Sequence, residues 1–174
     1  LQMILGGGFG IHSDINPWFG DPAAFTTGNP LVDNPVLGAD TDDHVTWAEA
    51  YVYFGLGGVA PLNNKGLYAF GAATVMAPAS VGEDIFSNET RGTIDEELLY
   101  GGLLYAPDQS QSYKLSVGRQ NFSLNKGFLI SQFVSQSNAG PRPGVYTSPR
   151  TALDFSVLGS DRYQDWSAKA FYLD

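Results

Sequence analysis

The acidic residues near position 40 are the first candidates for chemistry in this chain. Asp40, Asp42 and Asp43 stand together, directly before His44. Carboxylate oxygens are the ligands that Ca²⁺ prefers in proteins. The cluster lacks the central glycine and the distal glutamate of an EF-hand loop, so any calcium site here is of another kind. We expect no other cofactor.

A second acidic cluster is formed by Asp95, Glu96 and Glu97. A pair of carboxylates is the machinery of most glycosidases. These residues fall in an amphipathic stretch that predicts a strand, where successive side chains point to opposite faces, so at most two of them share a face. Alternation between a wet face and an apolar face explains them without catalysis. No G-x-S-x-G, phosphate-binding loop or dinucleotide fingerprint is present, and His12 and His44 lack a nucleophile motif, so we expect no enzyme.

Composition excludes two large classes of protein. The net charge is −9 and the pI is about 4.4, which is the wrong sign for a protein that binds the phosphates of nucleic acid. The chain has no run of about 18–20 apolar residues, so it is not a helical membrane protein. Only 16% of its residues are charged, below the roughly 25% of a typical soluble domain.

Paired amphipathic stretches predict an antiparallel meander of about seven strands. After a glycine-rich first strand, the predicted strands cover 45–60, 66–76, 92–106, 112–119, 150–158 and 165–174. Short turns at about 61–65, 107–111 and 159–164 alternate with long loops at about 13–44, 77–91 and 120–149. Short turns at one edge and long loops at the other are typical of up-and-down transmembrane β-barrels.

The stretch 45–60 has the clearest division into two faces. Its even positions, such as Val52 and Phe54, are aliphatic or aromatic, whereas its odd positions carry Glu49 and two tyrosines. In a barrel the even face meets lipid and the odd face, with Glu49, meets water in the lumen. In a soluble sandwich the even face forms the core, and periodicity alone does not separate these interpretations. Stretch 66–76 has no polar face, which favours the membrane interpretation.

The last predicted hairpin has one charged face and one apolar face in each strand. Asp154 and Lys169 lie on its two strands, where an antiparallel pairing brings them close together. We predict that both line the lumen as an ion pair, which contributes little if it is wet.

About seven strands do not close a bacterial barrel, because these barrels have an even number of strands from 8 upward. We therefore expect the N-terminal part of a larger barrel with 16–18 strands, or an oligomer. Leu1 and Asp174 both fall inside predicted strands, which favours a mature or truncated piece of a longer chain.

Three motifs carry a resemblance to a known family: VGRQNFSLNKGFLI at 117–130, PRTALDFSV at 149–157 and AFYLD at 170–174. Over about residues 45–174 the chain resembles the alginate-export-like and related substrate-specific porins of Gram-negative outer membranes. The resemblance implies an outer-membrane channel for a small or polymeric hydrophilic solute, with Arg119 and Arg150 as pore-lining arginines. The chain departs from the expectation for a polyanion exporter, since it has nine Lys and Arg against eighteen Asp and Glu.

Charge is divided unevenly among the long loops. Acidic residues are concentrated in 13–44 and 77–91, which form either an acidic rim or simply a solvated surface. Loop 120–149 contains bases and no acid. We predict that it folds into the pore and sets a basic constriction beneath that rim. The predicted constriction consists of Arg119, Lys126, Arg142 and Arg150.

Two further functions remain open from the sequence. One is a secreted carbohydrate-binding β-sandwich, which would be soluble without detergent. The other is a structural barrel that sheathes an electron-transfer component. If the barrel interpretation holds, the partners are outer-membrane lipid and lipopolysaccharide, and divalent ions between lipopolysaccharide and the Asp40 cluster are an alternative to a protein calcium site.

Overall fold

The computed structural model describes residues 1–15, 44–82, 90–124, 142–144, 146–149 and 151–174. They form one antiparallel sheet, and no helix is present among them. The strands are β1 (Gln2–Ile15), β2 (His44–Pro61), β3 (Leu67–Gly82), β4 (Arg91–Gly92), β5 (Asp95–Tyr105), β6 (Gln111–Asn121), β7 (Ala152–Tyr163) and β8 (Trp166–Leu173). The all-β class and the antiparallel meander predicted from the sequence are confirmed.

The long strands are hydrogen-bonded in chain order, β1-β2-β3-β5-β6-β7-β8, and the short β4 pairs with β3 beside β5. Within the described residues β1 and β8 do not pair, so the sheet is open, and no second sheet is stacked on it. A search of the same residues for a helix long and apolar enough to cross a membrane finds none.

Tight turns connect β2 to β3, β5 to β6 and β7 to β8, and we call this edge of the sheet the turn end. The Asn63 side chain accepts hydrogen bonds from the amides of Lys65, at 2.8 Å, and Leu67, at 3.1 Å. In the next turn, hydrogen bonds from the hydroxyl and amide of Ser110 hold the pKa of Asp108 below its ordinary value. The opposite edge, from which the predicted long loops depart, is the loop end.

Two strands are longer than the sequence pattern indicates. β3 runs to Gly82, beyond the predicted end at 76, because its extension pairs with β2 from Trp47 to Val52. β7 runs through the predicted turn at 159–164, and Gln164, at φ 52°, makes a shorter turn with Asp165. In both strands, turn-forming residues predict an earlier strand end, but hydrogen bonds to the neighbouring strand extend the strand beyond it.

The sheet has an aliphatic face and a polar face, which we define by the even and odd residues of β2. Val52, Phe54 and Leu56 mark the aliphatic face, and they are 62%, 49% and 44% exposed. Register extends this face to the odd residues of β1 and β3, and to the odd residues of β5 from Leu99 to Tyr105. Glu49 marks the polar face and is 1% exposed. Most of the side chains that are less than a tenth exposed are polar. These polar side chains are Glu49, Thr74, Ser80, Glu97, Ser116, Gln120, Arg142, Ser148 and Ser156.

Two irregularities interrupt the register near the loop end. Between β3 and β5 the register shifts at Thr74 and Val75, and the amide of Leu98 donates to the Thr74 hydroxyl at 2.9 Å. Because the shift inserts Glu97 as an extra residue, its side chain lies on the polar face together with that of Asp95. Between β6 and β7 the shift lies at Gly118, whose φ of +123° favours glycine.

Candidate functional site

The described residues of 142–149 lie across the polar face at its loop end. We call residues 142–144 and 146–149 the crossing segment. Hydrogen bonds attach it to β2 and to β5, and Arg142, Pro143, Gly144 and Ser148 are buried. A stretch predicted as part of a long loop therefore covers one end of the polar face.

Arg142 is the main attachment of the crossing segment to β5. Its guanidinium donates from Nε to Asp95 at 3.2 Å and from Nη1 to Glu97 at 2.6 Å. It also donates to the backbone carbonyl groups of Glu96, at 3.1 Å, and Pro149, at 3.3 Å. The residue is 4% exposed, so almost all of its charge is balanced by protein groups rather than by water.

Glu97 joins the crossing segment to the start of β7. One carboxylate oxygen receives the Arg142 hydrogen bond, and the other accepts from the amides of Thr151, at 2.9 Å, and Ala152, at 3.3 Å. The side chain is therefore both an ion-pair partner and an acceptor for backbone groups that would otherwise lack one. Glu96, between the two carboxylates that bind Arg142, is exposed, as strand alternation predicts.

Glu49 attaches the other end of the crossing segment, and no Lys or Arg of the described ranges forms an ion pair with it. One oxygen accepts from the indole N–H of Trp47 at 2.9 Å. The other accepts from the amides of Tyr146, at 2.9 Å, and Thr147, at 2.8 Å. The nearest basic group is Nε2 of His12, at 3.6 Å. Because three N–H groups point at it, the buried carboxylate is stabilised in its ionised form.

Aromatic rings surround the Glu49 carboxylate. The His12 ring stacks on Trp47 with 5.3 Å between centroids, and Tyr146 lies 5.3 Å from His12 and 5.7 Å from Trp47. Nε2 of His12 is also 3.0 Å from the Thr147 hydroxyl. These rings and the Glu49 bonds together hold residues 146–147 against β1 and β2.

Beyond the crossing segment, the polar face carries tyrosines on β2 and bases towards the turn end. The rings of Tyr51 and Tyr53 are parallel to within 2°, with centroids 6.1 Å apart. Further along the face, the Lys114 ammonium lies 4.7 Å from the centre of the Phe70 ring. Register places Lys169 on this face too, because Lys169 and Lys114 both pair with Ser160.

The structure differs from the predictions for four of the residues expected to line a pore. Glu49 and Arg142 are buried beneath or within the crossing segment instead of facing open solvent. Arg119 is opposite Leu99 on the aliphatic face and forms an ion pair with Asp154. Asp154 therefore does not pair with Lys169, which is opposite Ser160 in β7. Among the described residues of the predicted set, Glu49 and Lys169 both have polar-face registers, and Lys169 is exposed there.

Several predicted site residues lie outside the described residues. They are Asp40, Asp42, Asp43, Lys126 and Arg150. The proposed calcium cluster and two bases of the proposed constriction therefore stay predictions. Across the described ranges, no group of three or more His, Cys, Asp or Glu side chains is arranged to hold a metal ion.

Sequence reasoning missed the partners of Arg142 and the role of His12. The packing of Tyr51 and Tyr53 on β1 did leave a signal in the sequence. Glycines occur at every second position of β1, at 6, 8 and 10, and tyrosines occur at every second position of β2, at 51 and 53. A methyl group on Gly6 or Gly8 would collide with the ring of Tyr53 or Tyr51, so each ring lies over a glycine. The partners of Arg142 on β5 left no comparable trace, because they are 45 or more residues away.

Comparisons with protein-family models, with curated proteins and with solved structures return no match to this chain.

Proposed function

We propose that this chain is a porin-type segment of a Gram-negative outer-membrane β-barrel, and that its polar face borders a water-filled path for hydrophilic solutes. The observation that carries the proposal is the reversed polarity of the sheet. Large aliphatic side chains are exposed across its strands, whereas the most buried side chains are mainly polar. Each exposed Leu, Val or Phe forgoes about 1.5–3 kcal/mol of burial in water, and contact with acyl chains removes this cost.

Charges on the aliphatic face support the same proposal. In the described strands, register places four charged residues on this face: Glu96, Arg119, Asp154 and Asp161. The first three are near the loop end and the last is near the turn end. Between them lies an uncharged band, which is the arrangement expected of strands that cross the hydrocarbon layer.

Aromatic residues on the aliphatic face cluster near the turn end. Tyr105 and Tyr113 stack with centroids 6.4 Å apart, and they are 41% and 43% exposed. Tyr163 and Trp166 pair directly across the last turn and are 52% and 80% exposed. Amphipathic rings at one level suit the headgroup region of a bilayer. Trp47, by contrast, is buried on the polar face and does not belong to this group.

The crossing segment is proposed to narrow the path at the loop end. It lies on the polar face and is attached on both sides, by Glu49 and by Arg142. Of the basic constriction predicted from the sequence, Arg142 is neutralised by Asp95 and Glu97. We therefore assign it a positioning role, and leave solute selection to side chains that face the open part of the path, such as Lys114 and Lys169.

A carbohydrate-binding sandwich is less well supported, since it needs a second sheet to cover the aliphatic face. No second sheet packs on that face within the ranges that the structure describes. No observation favours the electron-carrier sheath over a solute path.

Membrane insertion and conductance together test the proposal. The purified protein should float with liposomes, resist extraction by carbonate and produce stepwise conductance in planar bilayers. Phe54→Asp, on the aliphatic face, should reduce insertion strongly, whereas Ser160→Asp, on the polar face, should leave it unchanged. A protein that stays soluble without detergent, or equal insertion of the two variants, would overturn the proposal.

A further inference from the structure

The Tyr51 and Tyr53 side chains form a flat surface on the polar face. Both belong to β2 and are half-buried, and their cross-strand partners in β1 are Gly8 and Gly6. Because a methyl group at either glycine would overlap a ring, the rings lie across the backbone of β1. Each ring therefore covers a glycine of β1, and both side chains remain partly exposed on the polar face.

The two rings act as one platform. Their planes are parallel to within 2° and their centroids are 6.1 Å apart along the strand. Tyr146, which is 51% exposed, extends the line of aromatic rings towards the loop end through its contact with Trp47. The line runs along β2, which is also the direction of the proposed solute path.

The described residues in direct register with the platform are uncharged. In register with Tyr51 and Tyr53 are Gly8 and Gly6 on one side, and Pro78 and Met76 on the other. The nearest carboxylate along β2, that of Glu49, is buried and bonded to three N–H groups. Asp95, which is opposite Met76 on the polar face, is paired with Arg142. Within the described residues, the carboxylates nearest to the platform are therefore bonded to protein donors, which favours a neutral ligand over a cation.

We propose that Tyr51 and Tyr53 bind neutral sugars by stacking, and that oligosaccharides move along the polar face over this platform. The inference rests on the proposed function and specifies its solute class. The C–H face of a pyranose is apolar and packs on an aromatic ring, while its hydroxyl groups stay in water. Parallel rings that follow one another along a strand suit a chain of sugar rings, and the phenol groups supply donors and acceptors at the rim. Nucleobases also stack, but their phosphates are disfavoured by a chain of net charge −9.

The test measures how maltohexaose, a neutral probe, blocks ion current through the protein in planar bilayers, and how it binds to the protein in detergent by calorimetry. Tyr51→Leu with Tyr53→Leu should weaken both block and binding by at least about tenfold, since two stacking surfaces are lost. Tyr51→Phe with Tyr53→Phe retains both rings and should retain most of the binding.

The aliphatic face provides a matched control. Tyr105 and Tyr113 also form a stacked pair, with planes 15° apart, but lie on the opposite side of the sheet. Tyr105→Leu with Tyr113→Leu should leave maltohexaose binding unchanged. Hexagalacturonate serves as the charged probe, and it should bind more weakly than maltohexaose.

The outcomes separate the two proposals. Normal conductance without block or binding by maltohexaose would overturn the sugar platform and leave the channel intact. Equal binding by the Leu variant and the wild type would show that the rings only cover the glycines, and would also overturn it. Tighter binding of hexagalacturonate would overturn the assignment to neutral sugars. If no conductance appears but maltohexaose binds in detergent and the Leu variant loses it, the channel fails while the platform stands.

Discussion

The two faces of this sheet obey opposite rules of burial. On the aliphatic face, Val52, Phe54 and Leu56 are exposed although each is apolar. On the polar face, Glu49, Glu97 and Arg142 are buried although each carries a charge. Exposure of apolar side chains to water does not stabilise the fold. Burial of charged side chains is tolerated because hydrogen bonds satisfy them. The comparison supports the proposal that the aliphatic face lies against lipid, and it shows that the polar face is held together by specific contacts.

The largest expected effect on stability comes from Arg142, the charged side chain on the polar face with four hydrogen bonds. Arg142→Ala leaves the buried Glu97 and the half-buried Asp95 without their cation, so we expect the free energy of unfolding to fall by about 3–5 kcal/mol. Guanidinium unfolding in detergent micelles, followed by tryptophan fluorescence, measures it. Arg162→Ala is the control, because Arg162 is exposed and donates to the carbonyl group of Gln109. Similar midpoints for the two variants would show that the Arg142 contacts do not hold the crossing segment.

A charge on the aliphatic face is expected to have the next largest effect. Val52→Arg places a cation in the middle of the uncharged band, and it should cost about 2–4 kcal/mol for protein folded in liposomes. Val52→Leu keeps the surface apolar, and Gln2→Arg adds the same charge to the polar face, so both should change little. If Val52→Arg stays within about 0.5 kcal/mol of wild type, the aliphatic face is in contact with water.

The second attachment of the crossing segment allows a finer test. Glu49→Gln replaces one acceptor oxygen by an N–H₂ group, so an N–H of the protein loses its partner, and we expect a loss of about 1–3 kcal/mol. Limited proteolysis should then cleave near Tyr146 more readily than in the wild type. Glu96→Gln makes the same change at an exposed carboxylate and should affect neither measurement. Unchanged proteolysis of the Glu49 variant would show that the aromatic rings suffice to hold the segment.

The smallest effect compares glycines on the two faces. Gly8→Ala pushes the Tyr51 ring off β1, and we expect a net loss of about 1 kcal/mol. Gly101 is on the aliphatic face, and the nearest atom to an added methyl group is 4.0 Å away. Gly101→Ala should therefore stabilise the strand by about 0.5 kcal/mol. Thermal unfolding should show a lower midpoint for Gly8→Ala and a higher midpoint for Gly101→Ala than for the wild type. Changes in the same direction would contradict the packing of Tyr51 over Gly8.

Local pattern was sufficient to predict the strands and their order. Alternation in β2 separates Glu49 from Phe54, and short polar turns predict antiparallel neighbours. Strand ends were less predictable, since β3 continues to Gly82 through pairing with β2. Pairing partners lie far away in sequence, so local propensity does not report them.

Site residues were predicted with less success, for two physical reasons. Arg119 carries the same charge on either face, and only register places it opposite Leu99 on the aliphatic side. Arg142 is a basic residue in a predicted long loop, which suggests a pore-lining position. Its ion pairs with Asp95 and Glu97 depend on how the crossing segment lies on the sheet. The sequence gives the charge of each residue, but the partner of that charge depends on the tertiary structure.

By itself, then, the amino-acid sequence determined that this protein is an antiparallel meander with one apolar and one polar side to its clearest strand, because side-chain alternation is a property of each strand alone. Only the tertiary structure decided which charges are buried, where the register shifts beside Glu97, and that the crossing segment lies on the polar face. Those features depend on contacts between residues far apart in the chain, and such contacts form only once the strands are side by side.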